Sequence, residues 1–447
     1  MITQKQETKR QSSNPPEVIA KLWNGLPAIE LNSDKQFLIA FTNINGRFTA
    51  CKFPSEKASS PEIYNQALKS GVFDCLNQDT SKLNDELTVV FSLTERCNCR
   101  CSYCFLDALN VGEKMPLSYI HKGIDLAISL ANGRPITLAA FGGEPTIEVK
   151  LLKEMVTYSK KVAKKSGVKF KYAITTNGIT SDDTLLFLCE NNFKVSLSMD
   201  GIPKVQNFQR PLQDANPSSN KVEKTIKKLV KENLDVKIRA TVTNFSLDYM
   251  EDSVRYLANL GIKKIHFEPV TPGGRGATNN ILLQPPPAKA FVEKLKACIE
   301  IGAELGVDII CFPYMNMMVA PIVFCDGNVH NRLVISPSGV MSTCVEVQRK
   351  DHELFPALGV GEFNKENGCF EIKYDYRREA RRGCQVVSEE RPKCKSCPFQ
   401  FFCGGGCPTR NYRGSGSSNQ VDMYRCEIIK HIMPYILYRF YKATFSS

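Results

Sequence analysis

Cys97, Cys101 and Cys104 stand at Cys-x3-Cys-x2-Cys spacing, directly after the apolar run Leu87 to Leu93. Three thiolates in one tight loop can hold three irons of a [4Fe-4S] cluster and leave the fourth iron without a protein ligand. An iron with an open position can bind a reactant as well as pass electrons. Zinc sites more often pair two Cys-x2-Cys knuckles, and none is obviously partnered with this loop. Cys99 lies inside the loop but out of register, and reads as a bystander thiol.

The chain has 447 residues and 18 cysteines. In a chain without a secretory signal, that count points to metal rather than disulfides. Cys394, Cys397, Cys403, Cys407 and Cys426 crowd into the C-terminal region. The length allows two or three domains, and 43% hydrophobic with 23% charged residues are ordinary globular proportions. No apolar run approaches the ~18 residues that span a bilayer. The N-terminal MITQKQETKRQSSNPPE lacks the apolar core of a signal peptide. The expectation is a cytoplasmic protein with no membrane partner. A formal charge of +12 suits an acidic partner. The lysines of KKVAKKSGVK and KTIKKLVKEN are instead spread as on solvated helix faces. They form no arm or aromatic-interleaved patch, so no nucleic-acid partner is expected.

Residues 1–16 read as a disordered polar lead, and residues 17–86 as a small α+β module. Gln36 to Thr42 and Gly46 to Phe53 alternate like strands around the hairpin signal Asn45-Gly46. Pro61 then opens a helix into EIYNQALKSGVF. Such a module is either a peptide-recognition unit of winged-helix type or an extension packed on the core. From Leu87 onward, strand and helix patterns alternate. Candidate strands are Leu87–Leu93, Ile136–Phe141, Lys169–Thr175, Lys194–Ser198, Val236–Val242 and Lys264–Val270. Repeats of this kind imply an α/β fold, with a parallel sheet and helices outside it, over residues 87–310. Sites in such sheets lie at the C-terminal strand ends. There the Cys97 loop follows the first strand and Gly142-Gly143-Glu144-Pro145 the second. Thr176-Asn177-Gly178 follows the third, and Met199-Asp200-Gly201 the fourth. A helix is expected over Ala288 to Leu305. Residues 311–447 are rich in Gly, Cys and turn residues, with one apolar helix from about Met423 to Tyr441.

The cysteine loop, followed at this distance by the GGEP strand end, resembles the radical S-adenosylmethionine (SAM) superfamily. The resemblance implies a partial (β/α)6 TIM-like barrel whose cofactors are a [4Fe-4S] cluster and SAM. It places the aromatic Tyr103 near the adenine, and Gly142, Gly143 and Glu144 at the SAM amino group. Glycine lets backbone come close, and a carboxylate suits an ammonium. Asn177, Ser198 and Asp200 are then candidates for the SAM ribose and carboxylate, with Arg210 and Arg239 as carboxylate partners. Plain alternatives are turns at Asn177 and Asp200 and surface charges at the arginines.

The C-terminal series Cys325-x13-Gly339-x4-Cys344, Cys394-x2-Cys397-x5-Cys403-x3-Cys407 and Cys426 resembles the SPASM domain. That domain carries two auxiliary [4Fe-4S] clusters, giving three clusters in all. By position, Cys394, Cys397, Cys403 and Cys426 would hold the outer cluster. Cys325, Cys344 and Cys407 would hold the inner one, leaving it a ligand short. Cys384 is favoured to complete it over Cys311 or an iron left open for substrate. Cys51, Cys75, Cys189, Cys298 and Cys369 fit no spacing and read as buried thiols.

The resemblance implies reductive cleavage of SAM to a 5′-deoxyadenosyl radical by a maturase of a ribosomally made precursor peptide. The product would be a crosslink, a thioether or an epimerised residue. Partners would be a precursor peptide or protein and a reductant such as flavodoxin or ferredoxin. The alternative is an anaerobic sulfatase-maturating enzyme. Those relatives place an acidic residue directly after the cysteine matching Cys344, where this chain has Val345 and then Glu346. A more distant alternative is a non-catalytic iron–sulfur or zinc-binding adaptor.

Overall fold

A computed structural model describes residues 17–65 in part, nearly all of 86–311, 331–373, and most of 394–445. The chain divides into two units, residues 1–78 with 434–447, and residues 79–433.

In the first unit, β1 (Glu17–Trp23), β2 (Leu26–Asn32), β3 (Phe37–Ile44) and β4 (Arg47–Pro54) form an antiparallel meander in that order. β3 and β4 are the hairpin expected from alternation, with Ile44 opposite Arg47. β1 and β2 add two strands to that reading. Pro16 before β1 and Pro27 inside β2 break up runs that otherwise alternate, since proline argues against a strand interior. The helix expected after Pro61 falls almost entirely outside the described residues, as does the 1–16 lead.

In the second unit, β5 (Leu87–Ser92), β6 (Ile136–Phe141), β7 (Phe170–Thr176), β8 (Lys194–Ser198), β9 (Val236–Val242), β10 (Lys264–Pro269) and β11 (Asp308–Ile310) run parallel. Each pairs with its predecessor in sequence. Right-handed crossovers without a reversal of strand order put every helix on one face and curl the sheet into a barrel arc. β11 is a strand beyond the six expected, and its length of three residues is too short to show a pattern. The covering helices include α1 (Leu117–Ala131), α2 (Val149–Ser166), α3 (Asp182–Glu190), α4 (Pro203–Gln209), α5 (Ser219–Lys231), α6 (Met250–Asn259) and α7 (Ala288–Leu305). α5 shows the logic: Val222, Ile226 and Leu229 are buried one turn apart, while Lys221, Lys224, Lys227 and Lys231 face solvent. Lys160, Lys161, Lys164 and Lys165 of α2 are likewise exposed.

β9 buries Val236, Ile238, Ala240 and Val242 under the helices and turns Lys237, Arg239 and Thr241 to the inner face. On the other side of β5 lies β12 (Arg332–Ile335), parallel to it. β13 (Val340–Ser342), β14 (Gly359–Asn364) and β15 (Cys369–Ile372) continue antiparallel, so barrel and C-terminal region share one eleven-stranded sheet. Beyond it come α8 (Pro408–Ser415) and α9 (Met423–Phe445), four residues longer than expected. Cys298 is a fully buried thiol, whereas Cys189 and Cys369 are only half-buried, correcting the expectation for those two. Cys75 and the Cys51 side chain lie outside the described residues.

Candidate active site

The loop after β5 is held mainly through its backbone. Arg100 N donates to Pro211 O at 2.8 Å and Ser102 N to Gln209 O at 2.9 Å. The Gln213 side-chain amide donates to the carbonyls of Cys97 (3.1 Å) and Cys99 (2.8 Å). Arg275 donates to Cys101 O and Ala108 O and pairs with Asp107 at 2.7 Å. Every thiol is therefore placed by fixed main chain rather than by its own rotamer alone. Cys97 and Cys99 are buried, with Cys101 and Cys104 half-buried against them. Burial, with Glu144 and the other thiols nearby, pushes Cys97 up to about 12, and burial pushes Cys101 to about 11.

Gly142 and Gly143 owe their identity to this loop. A Cβ on Gly142, whose φ is +139°, would stand 2.4 Å from Thr94 O, and one on Gly143 would stand 2.3 Å from Arg96 O. The close approach lets Gly143 N and Glu144 N donate to Thr94 O and Arg96 O, both at 2.8 Å. The glycines thus admit the backbone of residues 94–96, a reason distinct from the ligand approach expected of them.

Glu144 is 1% exposed. Its Oε1 accepts from Thr146 N (3.0 Å), Thr146 Oγ1 (2.7 Å) and Thr176 Oγ1 (2.7 Å), and its Oε2 from Asn177 N (2.7 Å). Burial still holds the carboxyl above its usual range against those donors. It braces the ends of β6 and β7. Asn177 in turn donates to Asn98 Oδ1 at 2.7 Å and reaches Cys97 Sγ at 3.8 Å.

Asp200 is a second brace. Oδ1 accepts from Thr241 N at 2.9 Å and pairs with Arg210 Nε at 3.0 Å, while Oδ2 accepts from Gln209 Nε2 at 2.7 Å and from the Tyr103 hydroxyl. Its oxygens serve protein donors, so its described role is to orient Tyr103 and Arg210 rather than to stand free for a ribose. Arg210 lies over the Tyr103 ring at 5.1 Å and reaches Cys101 Sγ at 3.9 Å. Ser198, at the end of β8, stands in register with Arg239 of β9. Burial and the nearby cations Arg410, Arg210 and Arg332 pull Arg239 down to about 10.

The described C-terminal cysteines fall into two groups. Cys394, Cys397, Cys403 and Cys426 line one cavity of about 800 Å³, along with Pro269 and Val270 at the end of β10. Burial, then Cys394, Cys426 and Cys397, push Cys403 up to about 12. Separately, Cys344 lies near Cys407, the residue that caps α8, and 3.5 Å from Thr409 Oγ1. Cys325 and Cys384 lie outside the described residues. Cys311 is buried just after β11.

Residues 91–257 match the radical SAM superfamily. These residues form a radical SAM domain. It is 30% identical over 185 residues, 41% of its own length, to an uncharacterised protein of Methanocaldococcus jannaschii, spanning 63% of that relative. It is 24% identical over 373 residues to the serine-type anaerobic sulfatase-maturating enzyme of Bacteroides thetaiotaomicron, spanning 76% of this chain and 87% of the relative. The solved structure of anSMEcpe with bound AdoMet and Kp18Cys peptide has the same fold, with a TM-score of 0.65 at 19% identity over 81% of this chain and 100% of that one. Streptococcus suis SuiB bound to precursor peptide SuiA aligns at a TM-score of 0.51 and 14% identity, over 87% and 95%.

The radical SAM superfamily uses a [4Fe-4S] cluster and SAM, and the donor set here fits them. Cys101 and Cys104 lie near enough to Cys97 to help raise its thiol, and the thiolate forms need the positive charge that iron supplies. Among the described residues no three Cys, His, Asp or Glu side chains are arranged around a single metal ion. A cluster differs in that each thiolate binds its own iron. The candidate site also draws on Thr176, read from sequence only as part of a strand end, and on Gln209, Gln213 and Arg275, which the sequence reading did not single out. Only Arg275 carries a signal, the flanking Gly274 and Gly276. A Cβ on Gly274 would stand 2.4 Å from Cys104 O.

Proposed function

We propose that this chain is a radical SAM maturase of a ribosomally made peptide, with Cys97, Cys101 and Cys104 holding the SAM-binding cluster. The observation that carries this reading is the cavity at the end of β10, lined by Cys394, Cys397, Cys403 and Cys426. A second cluster site opening at the barrel rim suits electron transfer to or from a bulky substrate. Bound together, the first cluster and SAM supply a 5′-deoxyadenosyl radical that abstracts hydrogen from an unactivated carbon. Arg210, fixed by Asp200, offers its guanidinium to a carboxylate beside Cys101. Tyr103, fixed by the same carboxylate, offers its ring to the adenine, and Ser198 offers a hydroxyl to the ribose. Glu144 keeps the β6 and β7 ends in place for the amino group, and the barrel wall excludes water. Cys344 and Cys407, with Cys325 and Cys384, would hold the inner cluster. A flavodoxin or ferredoxin would supply electrons.

Sulfatase maturation is a second reading, supported by the Bacteroides relative and by Glu346. That carboxylate pairs with Arg413 at 2.8 Å and lies near enough to help raise the Cys344 thiol. Anaerobic reconstitution tests both readings. About twelve irons per chain and 5′-deoxyadenosine on reduction are expected, and its absence overturns the radical chemistry. Incubation with short peptides encoded beside the gene, against a sulfatase-derived peptide trapped with an aldehyde reagent, then separates the two.

A further inference from the structure

The loop that carries Cys97 meets the turn after β7 through a closed ring of hydrogen bonds. Ile179 N donates to Asn177 Oδ1 at 2.9 Å, Asn177 Nδ2 donates to Asn98 Oδ1 at 2.7 Å, and Asn98 Nδ2 donates to Ile179 O at 2.8 Å. The ring fixes which way each side-chain amide points. Turning the Asn177 amide over would set its oxygen against Asn98 Oδ1 and its NH2 group against the Ile179 N–H. Turning Asn98 over as well would set its oxygen against Ile179 O.

One Nδ2 hydrogen of Asn177 is engaged in the ring, and the amide reaches Cys97 Sγ, 3.8 Å away, with the other. The same sulfur accepts from Cys99 N at 3.4 Å. Asn177 and Cys97 are each 7% exposed, so little water competes for this contact. Asn177 N donates to Glu144 Oε2 at 2.7 Å, which holds the backbone of residue 177 as the ring holds its side chain. An N–H aimed at a cluster thiolate favours the more negative of two oxidation states, and so raises the reduction potential. A neutral amide does this without placing another charge beside Glu144.

We propose that Asn98 and Asn177 are positioning residues that hold an N–H on the Cys97 thiolate and thereby raise the reduction potential of the cluster at this loop. Asn177 then serves the cluster sulfur rather than the ribose or carboxylate of SAM. This rests on the reading above that Cys97 is an iron ligand. The ring eases uptake of the one electron that a flavodoxin or ferredoxin would deliver, and it does so whether or not SAM is bound.

The test needs no turnover. The reconstituted holoenzyme is titrated anaerobically against potential without SAM, and the first cluster is followed as the EPR component that Cys101→Ala removes. Asn177→Leu keeps the side-chain volume and removes both polar groups. It is expected to retain its iron and to lower the potential of that component by about 59 mV, a tenfold loss in the one-electron equilibrium. Asn98→Ala leaves the Asn177 amide held by Ile179 N alone, and should cost about threefold in the same equilibrium. It also supplies the second variant should Asn177→Leu lose its cluster. Loss of about four irons from both variants overturns the proposal, because the ring then serves only to fold the loop. A SAM dissociation constant raised about tenfold in Asn177→Leu, with the potential unmoved, also overturns it and returns Asn177 to SAM binding. If Cys101→Ala removes no EPR component, the cluster reading of the loop falls and this proposal with it. A component that Cys101→Ala removes, but that both asparagine variants leave at its potential, overturns the proposal alone.

Discussion

Cys97, Cys101 and Cys104 lie within eight residues of one another, and the barrel holds them; Cys394, Cys397 and Cys403 lie within ten residues and are joined in one cavity by Cys426 of α9. In the first region, hydrogen bonds from residues 209–213 and Arg275 fix the backbone around each thiol. In the second, four residues line a cavity of about 800 Å³, with Cys397 N donating to Cys394 O and Cys403 N to Phe399 O. On the proposed reading, the first region would leave one iron position open at a strand end. On the same reading, the second would offer four ligands to a closed cluster that passes electrons.

Breaking the first region should have the largest effect. Cys101→Ala is expected to abolish 5′-deoxyadenosine formation and to remove about four of roughly twelve irons, read by iron assay and chromatography. If SAM cleavage survives, the loop is not the SAM-binding cluster. Cys397→Ala should also lose about four irons, yet keep uncoupled SAM cleavage within about threefold while substrate modification stops. Normal modification by that variant would remove the outer site from the reaction and leave the two regions unequal in a different sense.

The braces come next. Glu144→Ala removes an acceptor serving four buried donors, and should cost about 3–5 kcal/mol of stability by denaturant titration. A cost under about 1 kcal/mol would mean the β6 and β7 ends hold themselves. Asp200→Asn keeps the shape but loses the charge that holds Arg210, so KM for SAM should rise about tenfold with smaller change in kcat. An unchanged KM would show that Arg210 is fixed without its partner.

The same contrast explains what could be read from sequence. β6, β8, β9 and α7 coincide with the residues expected, because apolar runs or 3.6-residue periodicity bounded by turn residues leave little choice. The Cys97 loop was legible because all its chemistry is local. The clamps on it were not, since Gln213 acts from 114–116 residues away and Arg275 from 167–174. Asp200 was found as a polar strand end, but its use as a brace depends on partners from three other segments. β10 carried an overlooked signal. His266 and Glu268 alternate with Phe267 in a strand that elsewhere reads as core. Charged residues on alternate positions of a buried parallel strand have an interior to face.

That interior charge bears on the remaining question, where the +12 of the chain is spent. Lys160, Lys161, Lys164 and Lys165 are exposed on α2, away from any carboxylate cluster in the described residues, whereas Arg239 and Arg425 are buried and guanidinium-rich in their surroundings. Solvent screens the first set and not the second. Replacing the four α2 lysines by glutamine should therefore change stability by less than about 1 kcal/mol and peptide modification by less than about twofold at physiological salt. Measured from 50 to 300 mM salt, the variant and the wild type should keep the same ratio of rates. A tenfold loss that shrinks as salt rises would show that an acidic leader docks on this face.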